Sequence, residues 1–343
     1  MKHLNIVFSL LVLIMSTICS CSKDAEDENG NKEKTENGTG NQGEDIEEDD
    51  EEEEGPIASL SALDYTVDGY FDGVLYYQIT SNADNTVEVA KGSASASVVV
   101  IPKHVIINGT TYSITGIRER AFYVSGYGNK NLSSLIISNT VKYIGKSAFS
   151  SCSNLASVVF GRNVEEIGDE SFRGCPISRI EFPNLKCLYK LMLEKGLLSS
   201  ASHSIRERKI YIEDKEFKEL TIPDGFISIC NGAFKGCSGL TSVNIPNSVT
   251  SIGYSAFKGC SGLTSVNIPD SVTYIGYSAF KGCSSLTSII IKSDIPPAII
   301  YYSYLEPVFD SNLLAIYVPQ ESLEAYKNAD GWNIYRDIIQ PIK

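Results

Sequence analysis

Histidine is almost absent from this 343-residue chain, and one of its three copies, His3, falls in the leader. Neither His104 nor His203 stands in a nucleophile or metal motif, and there is no Cys-x-x-Cys or Cys/His pair. Histidine acid–base chemistry and a zinc site are therefore not expected. No glycine-rich loop follows a strand and opens a helix, so a phosphate cradle is not expected either. The carboxylate pairs Glu165-Glu166 and Asp169-Glu170 recur in turns, where solvation explains them. A basic surplus is missing too: residues 56–343 hold 25 Lys/Arg against 26 Asp/Glu. Nucleic acid is thus not an expected partner. These absences predict a protein with no catalytic residues, no cofactor and no metal.

The net charge of −13 belongs to one segment, since residues 22–55 contain 16 Asp/Glu and 3 Lys. Ahead of it, residues 1–20 have the form of a secretory signal: Lys2, an apolar run over Leu4–Met15, then small polar residues. Ile18-Cys19-Ser20-Cys21 resembles a bacterial lipobox. Cys21, preceded by the small Ser20, is the expected lipidation site and membrane anchor. The following Ser22-Lys23-Asp24-Ala25-Glu26-Asp27-Glu28 resembles the acidic tag on lipoproteins exported to the outside of the outer membrane in Bacteroides-type bacteria. An outer-membrane location facing outward is expected on that resemblance. Residues 21–55 have too few apolar groups to offset ordering entropy and read as a tether.

Self-similarity organises the rest. Leu240–Gly262 (LTSVNIPNSVTSIGYSAFKGCSG) and Leu263–Ser285 (LTSVNIPDSVTYIGYSAFKGCSS) are nearly identical 23-residue units. Phenylalanine marks a spine at Phe122, Phe149, Phe172, Phe234, Phe257, Phe280 and Phe309, and cysteine a ladder at Cys152, Cys175, Cys237, Cys260 and Cys283. In each unit Val243 and Ile245 alternate onto one face of a short strand, and Pro246 ends it. Gly253 is expected to supply a tight or left-handed turn, and Phe257 to fill the far side. One unit cannot bury these groups, but units stacked at about 4.8 Å bury them against each other. The cysteines read as small buried residues, because stacked side chains point the same way and oppose disulfides.

The expected layout is an N-terminal β cap over 56–112 and a solenoid over 113–294, with an insert at about 184–215. A divergent last unit and cap follow over 295–343. Within the insert, Leu185, Leu188, Met192 and Leu193 predict a short amphipathic helix, and Lys209–Ile212 an extra strand. Ala315–Val318 predicts a strand, Gln320–Asn328 a short helix, and Trp332 a cover for the last coil. Tyr301, Tyr302 and Tyr304 are expected to pack the C-terminal cap, with a contact patch as the alternative.

The pattern I-P-x-S-V-T-x-I-G-x-x-A-F-x-G-C-x-x-L, present as Ile245–Leu263 and Ile268–Leu286, resembles the BspA-like surface proteins with Treponema pallidum-type leucine-rich repeats. Val318-Pro319 and Glu324–Ala329 with Trp332 resemble that family's C-terminal end, and Tyr65–Ile107 its N-terminal cap. The resemblance covers about 65–343. It implies a β-rich, leucine-rich-repeat-like solenoid: a right-handed coil of 23-residue units with a β-strand-rich N-terminal cap and a small C-terminal α/β cap. It also implies adhesion to host matrix proteins or to other cells. Cys230 and Arg118 occupy the place of the repeat glycine, so two turns are expected to differ.

Outward strand positions are the candidate binding face: Val100, Ile136, Val159, Glu181, Thr221, Asn244, Asn267, Ile290 and Tyr317. The row is apolar at first and polar later. Adhesion through a monomeric solenoid is the leading expectation. Glycan or polymer capture, or a structural spacer in the envelope, are the alternatives.

Overall fold

The computed structural model describes residues 57–61, 64–124, 127–198, 207–299 and 307–342, all within one compact unit, Glu53–Lys343. The leader, Cys21, the acidic segment and Tyr301, Tyr302 and Tyr304 lie outside the described residues.

The alternation read from the repeat forms a parallel strand in every coil. Val98–Ile101, Ser134–Ile137, Ser157–Val159, Arg179–Phe182 and Lys209–Ile212 pair in that order. A second sheet runs through Glu219–Thr221, Ser242–Asn244, Ser265–Ile268, Ser288–Ile291, Ala315–Val318 and Ile339–Pro341. Period-2 geometry turns Leu135, Val158, Ile180, Val243, Val266 and Ile289 into the core and their neighbours outward. Two-residue parallel strands, such as Ser251–Ile252 on Tyr274–Ile275, line a second side. On a third side the Phe234 N–H donates to the Ala256 carbonyl (2.7 Å) and that of Phe257 to Ala279 (2.8 Å). The result is a β-solenoid of about ten turns with about 23-residue spacing.

The structure corrects the expected role of Gly253. The left-handed residues lie two before and two after the spine phenylalanine: Ser255 (φ 54°) and Gly259 (φ 78°) flank Phe257. Four other coils put Arg120, Ser147, Glu170 or Ser278 in the first of these positions. Gly253 is needed for space instead. A Cβ there would lie 2.7 Å from the Asn231 nitrogen and the Ile229 carbonyl oxygen of the preceding coil. Arg118 and Cys230 escape this constraint because each opens a run of coils. Arg118 reaches back over the cap towards Glu88 (3.4 Å), and the Cys230 thiol meets the Glu194 carbonyl (3.3 Å).

The N-terminal cap closes the first coil with strand pairing. Leu75–Ser81 and Thr86–Gly92 are antiparallel, as are His104–Ile107 and Thr110–Ile117. Thr110–Ile117 then pairs in parallel with Tyr143–Ile144, so the cap sheet continues into the coils. The cap–solenoid boundary expected at residue 112 therefore falls inside one strand.

The insert also differs from expectation. Helix α1 (Leu185–Tyr189), capped by the Asn184 side chain on the Cys187 N–H, widens into a π-helical turn over Lys190–Glu194. That widening buries Leu191, Met192 and Leu193 in succession, while Leu185 faces solvent. Lys209–Ile212 is a full solenoid strand, after which antiparallel Lys215–Glu216 ends the first sheet. The sheet breaks here, but the buried core runs through as one cluster.

At the C-terminal end a 3-10 turn (Gln320–Ser322) leads into helix α2 (Leu323–Asn328). Trp332 is fully buried, donates from Nε1 to the Pro297 carbonyl (2.7 Å) and meets the Tyr326 ring edge-on.

Candidate functional site: the outer face of the coils

The nine outward positions form two rows rather than one. In the first sheet Val100, Ile136, Val159 and Glu181 are successive partners, and Tyr211 extends the row. In the second sheet Thr221, Asn244, Asn267, Ile290 and Tyr317 follow in register, and Gln340 ends the row. Alignment by repeat spacing missed Tyr211 and Gln340, whose strands lack the flanking motif. The out–in alternation of Lys209-Ile210-Tyr211-Ile212 was the signal available for Tyr211.

The first row is aliphatic at one end and charged at the other. Val100 is 49% exposed and neighbouring Val98 is 37% exposed, while Ile136 and Val159 are half-buried. At the charged end the Arg179 guanidinium lies over the Tyr211 ring, 3.6 Å from its centroid. The same guanidinium pairs with Glu181 (2.9 Å) and Asp214 (3.5 Å). Such a held cation–π and ion-pair group presents a fixed rather than a floppy charge. The second row is polar over Thr221, Asn244 and Asn267, before Ile290 and Tyr317. Asn244 and Asn267 are exposed side by side, and with Asp224, Asn247 and Lys292 they line a groove of about 370 Å³.

The interior columns are structural. Phe257 is fully buried between Phe234 (5.6 Å) and Phe280 (5.3 Å), with rings within 10° of parallel, and Phe309 continues the stack. Phe122, Phe149 and Phe172 stack in the same way in the first run. Each ladder cysteine is a free thiol. Those of Cys175, Cys260 and Cys283 donate to the carbonyl of the spine phenylalanine one coil earlier, at 3.0, 3.1 and 3.2 Å; Cys152 does so at 3.9 Å. Burial pushes the Cys237 and Cys283 thiols up to about 12, far from the thiolate form at neutral pH. Among the described residues no group of three His, Cys, Asp or Glu could hold a metal ion. No described helix is long and apolar enough to cross a membrane.

Sequence reasoning passed over Arg208 altogether. It is buried at the junction between the two runs, bridged to Cys237. Nothing in the repeat pattern marks it.

A family model for the BspA-type leucine-rich-repeat region matches residues 104–194 and 204–322 in six copies. Among solved structures, the chain is similar to a leucine-rich cell surface protein from Faecalibacterium prausnitzii at 25% identity, covering 74% of this chain and 70% of that one, with a TM-score of 0.39. A leucine-rich-repeat protein from Bacteroides ovatus is 19% identical over 80% of this chain and all of that one, TM-score 0.26. The T. pallidum leucine-rich-repeat protein is 19% identical over 72% and 81%, TM-score 0.24. None of the curated proteins matches the chain. The repeat match alone carries the family assignment.

Proposed function

Because the chain belongs to the BspA-type leucine-rich-repeat family, whose members are typically surface, protein-binding and not enzymatic, we propose that it is a surface adhesin. In this reading Cys21 anchors it by lipid to the outer membrane, facing outward, and the solenoid contacts a host matrix protein or another cell. The observation that carries the reading is the solvent-facing aliphatic row Val100, Ile136 and Val159 on a rigid sheet. An exposed apolar strip next to a fixed Arg179–Glu181 pair has the makeup of a protein-docking patch, an apolar centre with a polar rim. Covering the exposed parts of these three side chains contributes on the order of 3 kcal/mol, about a hundredfold in affinity.

The test is to probe arrays of matrix proteins and glycans with the full chain and with Val100→Glu/Val159→Glu. Saturable matrix-protein binding that the double variant weakens by about a hundredfold is expected. Binding that the variant leaves unchanged rejects the row as the contact surface. Glycan capture is a second reading, favoured by the groove at Asn244 and Asn267. Their carboxamides each offer a donor and an acceptor to sugar hydroxyls. Signal on glycans alone would select it.

A further inference from the structure

Arg208 joins the two runs of coils. Its backbone N–H donates to the Gly236 carbonyl at 2.8 Å, and its side chain is only 1% exposed. Nε donates to the Ile177 carbonyl (2.6 Å) at the end of the first run, and Nη1 donates to the Lys235 carbonyl in the second. The guanidinium is therefore fixed in place, while its buried Nη2 has no partner. Lys235 is itself only 7% exposed, and its ammonium feels both Arg208 and Lys258.

No carboxylate of the described residues pairs with either cation. Between Glu194 and Arg208 the chain holds a single carboxylate, Glu207, and that residue is exposed. Lys281 makes the contrast plain: it occupies the position of Lys235 two coils later and is neutralised by Asp310 at 3.3 Å. The Arg208 guanidinium is withdrawn from water, held against the Lys235 backbone, with no counter-charge among the described residues, which is strongly unfavourable. A preorganised guanidinium N–H beside a lysine amine is also the donor set that an oxyanion takes.

We propose that Arg208 and Lys235 form a binding site for a tetrahedral oxyanion of the sulfate or phosphate class, free or as an ester group on a larger ligand. The anion would accept from Arg208 Nη2 and from the Lys235 ammonium, and so pin the interrupted junction between the two runs. The site is separate from both rows of the outer face, so variants at Val100 or Asn244 leave it intact.

The experiment uses the full chain at constant ionic strength, with chloride replaced by inorganic sulfate, inorganic phosphate or methyl sulfate. Sulfate stabilises most proteins weakly and without saturation, so the readout is a saturable part of the shift. A rise of a few degrees in the unfolding midpoint is expected, lost in Lys235→Met and kept in Lys235→Arg. In parallel, acetylation of Lys235 near pH 8, followed by peptide mass spectrometry, should slow about fivefold in sulfate, as for an amine titrating one unit higher. Acetylation of exposed Lys209 should not change. Saturable effects with methyl sulfate as well assign an ester-borne group; effects with the inorganic ions alone assign a free anion. The proposal is overturned if sulfate and chloride give the same Lys235 reactivity, or if Lys235→Met keeps the saturable shift. Neither outcome depends on Arg208→Met, so a folding failure of that variant leaves the test whole.

Discussion

Replacing Gly253 with alanine should open the coil stack, and the structure sets the size of the effect. The new Cβ would lie 2.7 Å from the Ile229 carbonyl oxygen, where ordinary contact begins near 3.4 Å. The coils must separate by the difference. The Gly253 N–H donates to that same oxygen at 2.9 Å, so the separation carries this bond out of hydrogen-bond range. Overpacking costs about 1–3 kcal/mol and the lost bond about 1 kcal/mol, so Gly253→Ala should destabilise by about 2–4 kcal/mol. Ser255→Gly, two residues away, should do the opposite. Relief of the left-handed serine gains about 1–2 kcal/mol and glycine's extra freedom in the unfolded chain takes back about 0.5–1 kcal/mol, a net gain of up to about 1.5 kcal/mol. Urea unfolding followed by far-UV circular dichroism and by fluorescence of the single tryptophan, Trp332, reads both changes, because that indole closes the same spine. If Gly253→Ala unfolds with the natural chain, the close approach of the coils does not require a bare glycine there, and the reasoning is refuted.

Two further outcomes follow from the core. Phe257→Ala removes a ring stacked on both sides and should cost about 4 kcal/mol, whereas Phe257→Leu should cost under about 1.5 kcal/mol; chemical-denaturation midpoints separate the two. Burial, with Lys258 and Arg208 adding to it, pulls the Lys235 ammonium from its ordinary 10.5 down to about 8. In chloride, the unfolded chain therefore carries a proton at Lys235 between about pH 8 and 10.5 that the folded chain has released, so this residue makes the fold more stable as pH rises through that window. The difference in melting temperature between the natural chain and Lys235→Met should shift in that sense, and a flat difference would show that Lys235 does not titrate there.

Much of the architecture was legible because it is periodic. A strand that alternates inward and outward, a proline that stops it, and a phenylalanine every 23 residues specify the same coil wherever they recur, since each coil sees only its neighbours. The cysteine column follows the same logic, with a small thiol placed under the phenylalanine carbonyl of the coil before. The insert was less legible. The π-helical turn at Lys190–Glu194 and the exposure of Leu185 depend on which surface the helix meets, and hydrophobic spacing does not encode that.

The binding face was legible as a set of positions but not as a surface. Spacing alone joined Glu181 to Thr221, whereas the folded chain places Tyr211 beside Glu181 and starts a new sheet at Thr221. That break is decided by the Lys215–Glu216 hairpin, a pairing between residues with no repeat relation. What the sequence alone determined is the coil, since local alternation and stacking are satisfied between adjacent units. What only the tertiary structure decided is where the stack is interrupted and what is buried there. Arg208 and Lys235 become neighbours through a contact that joins one run of coils to the next, and no periodic pattern carries that information.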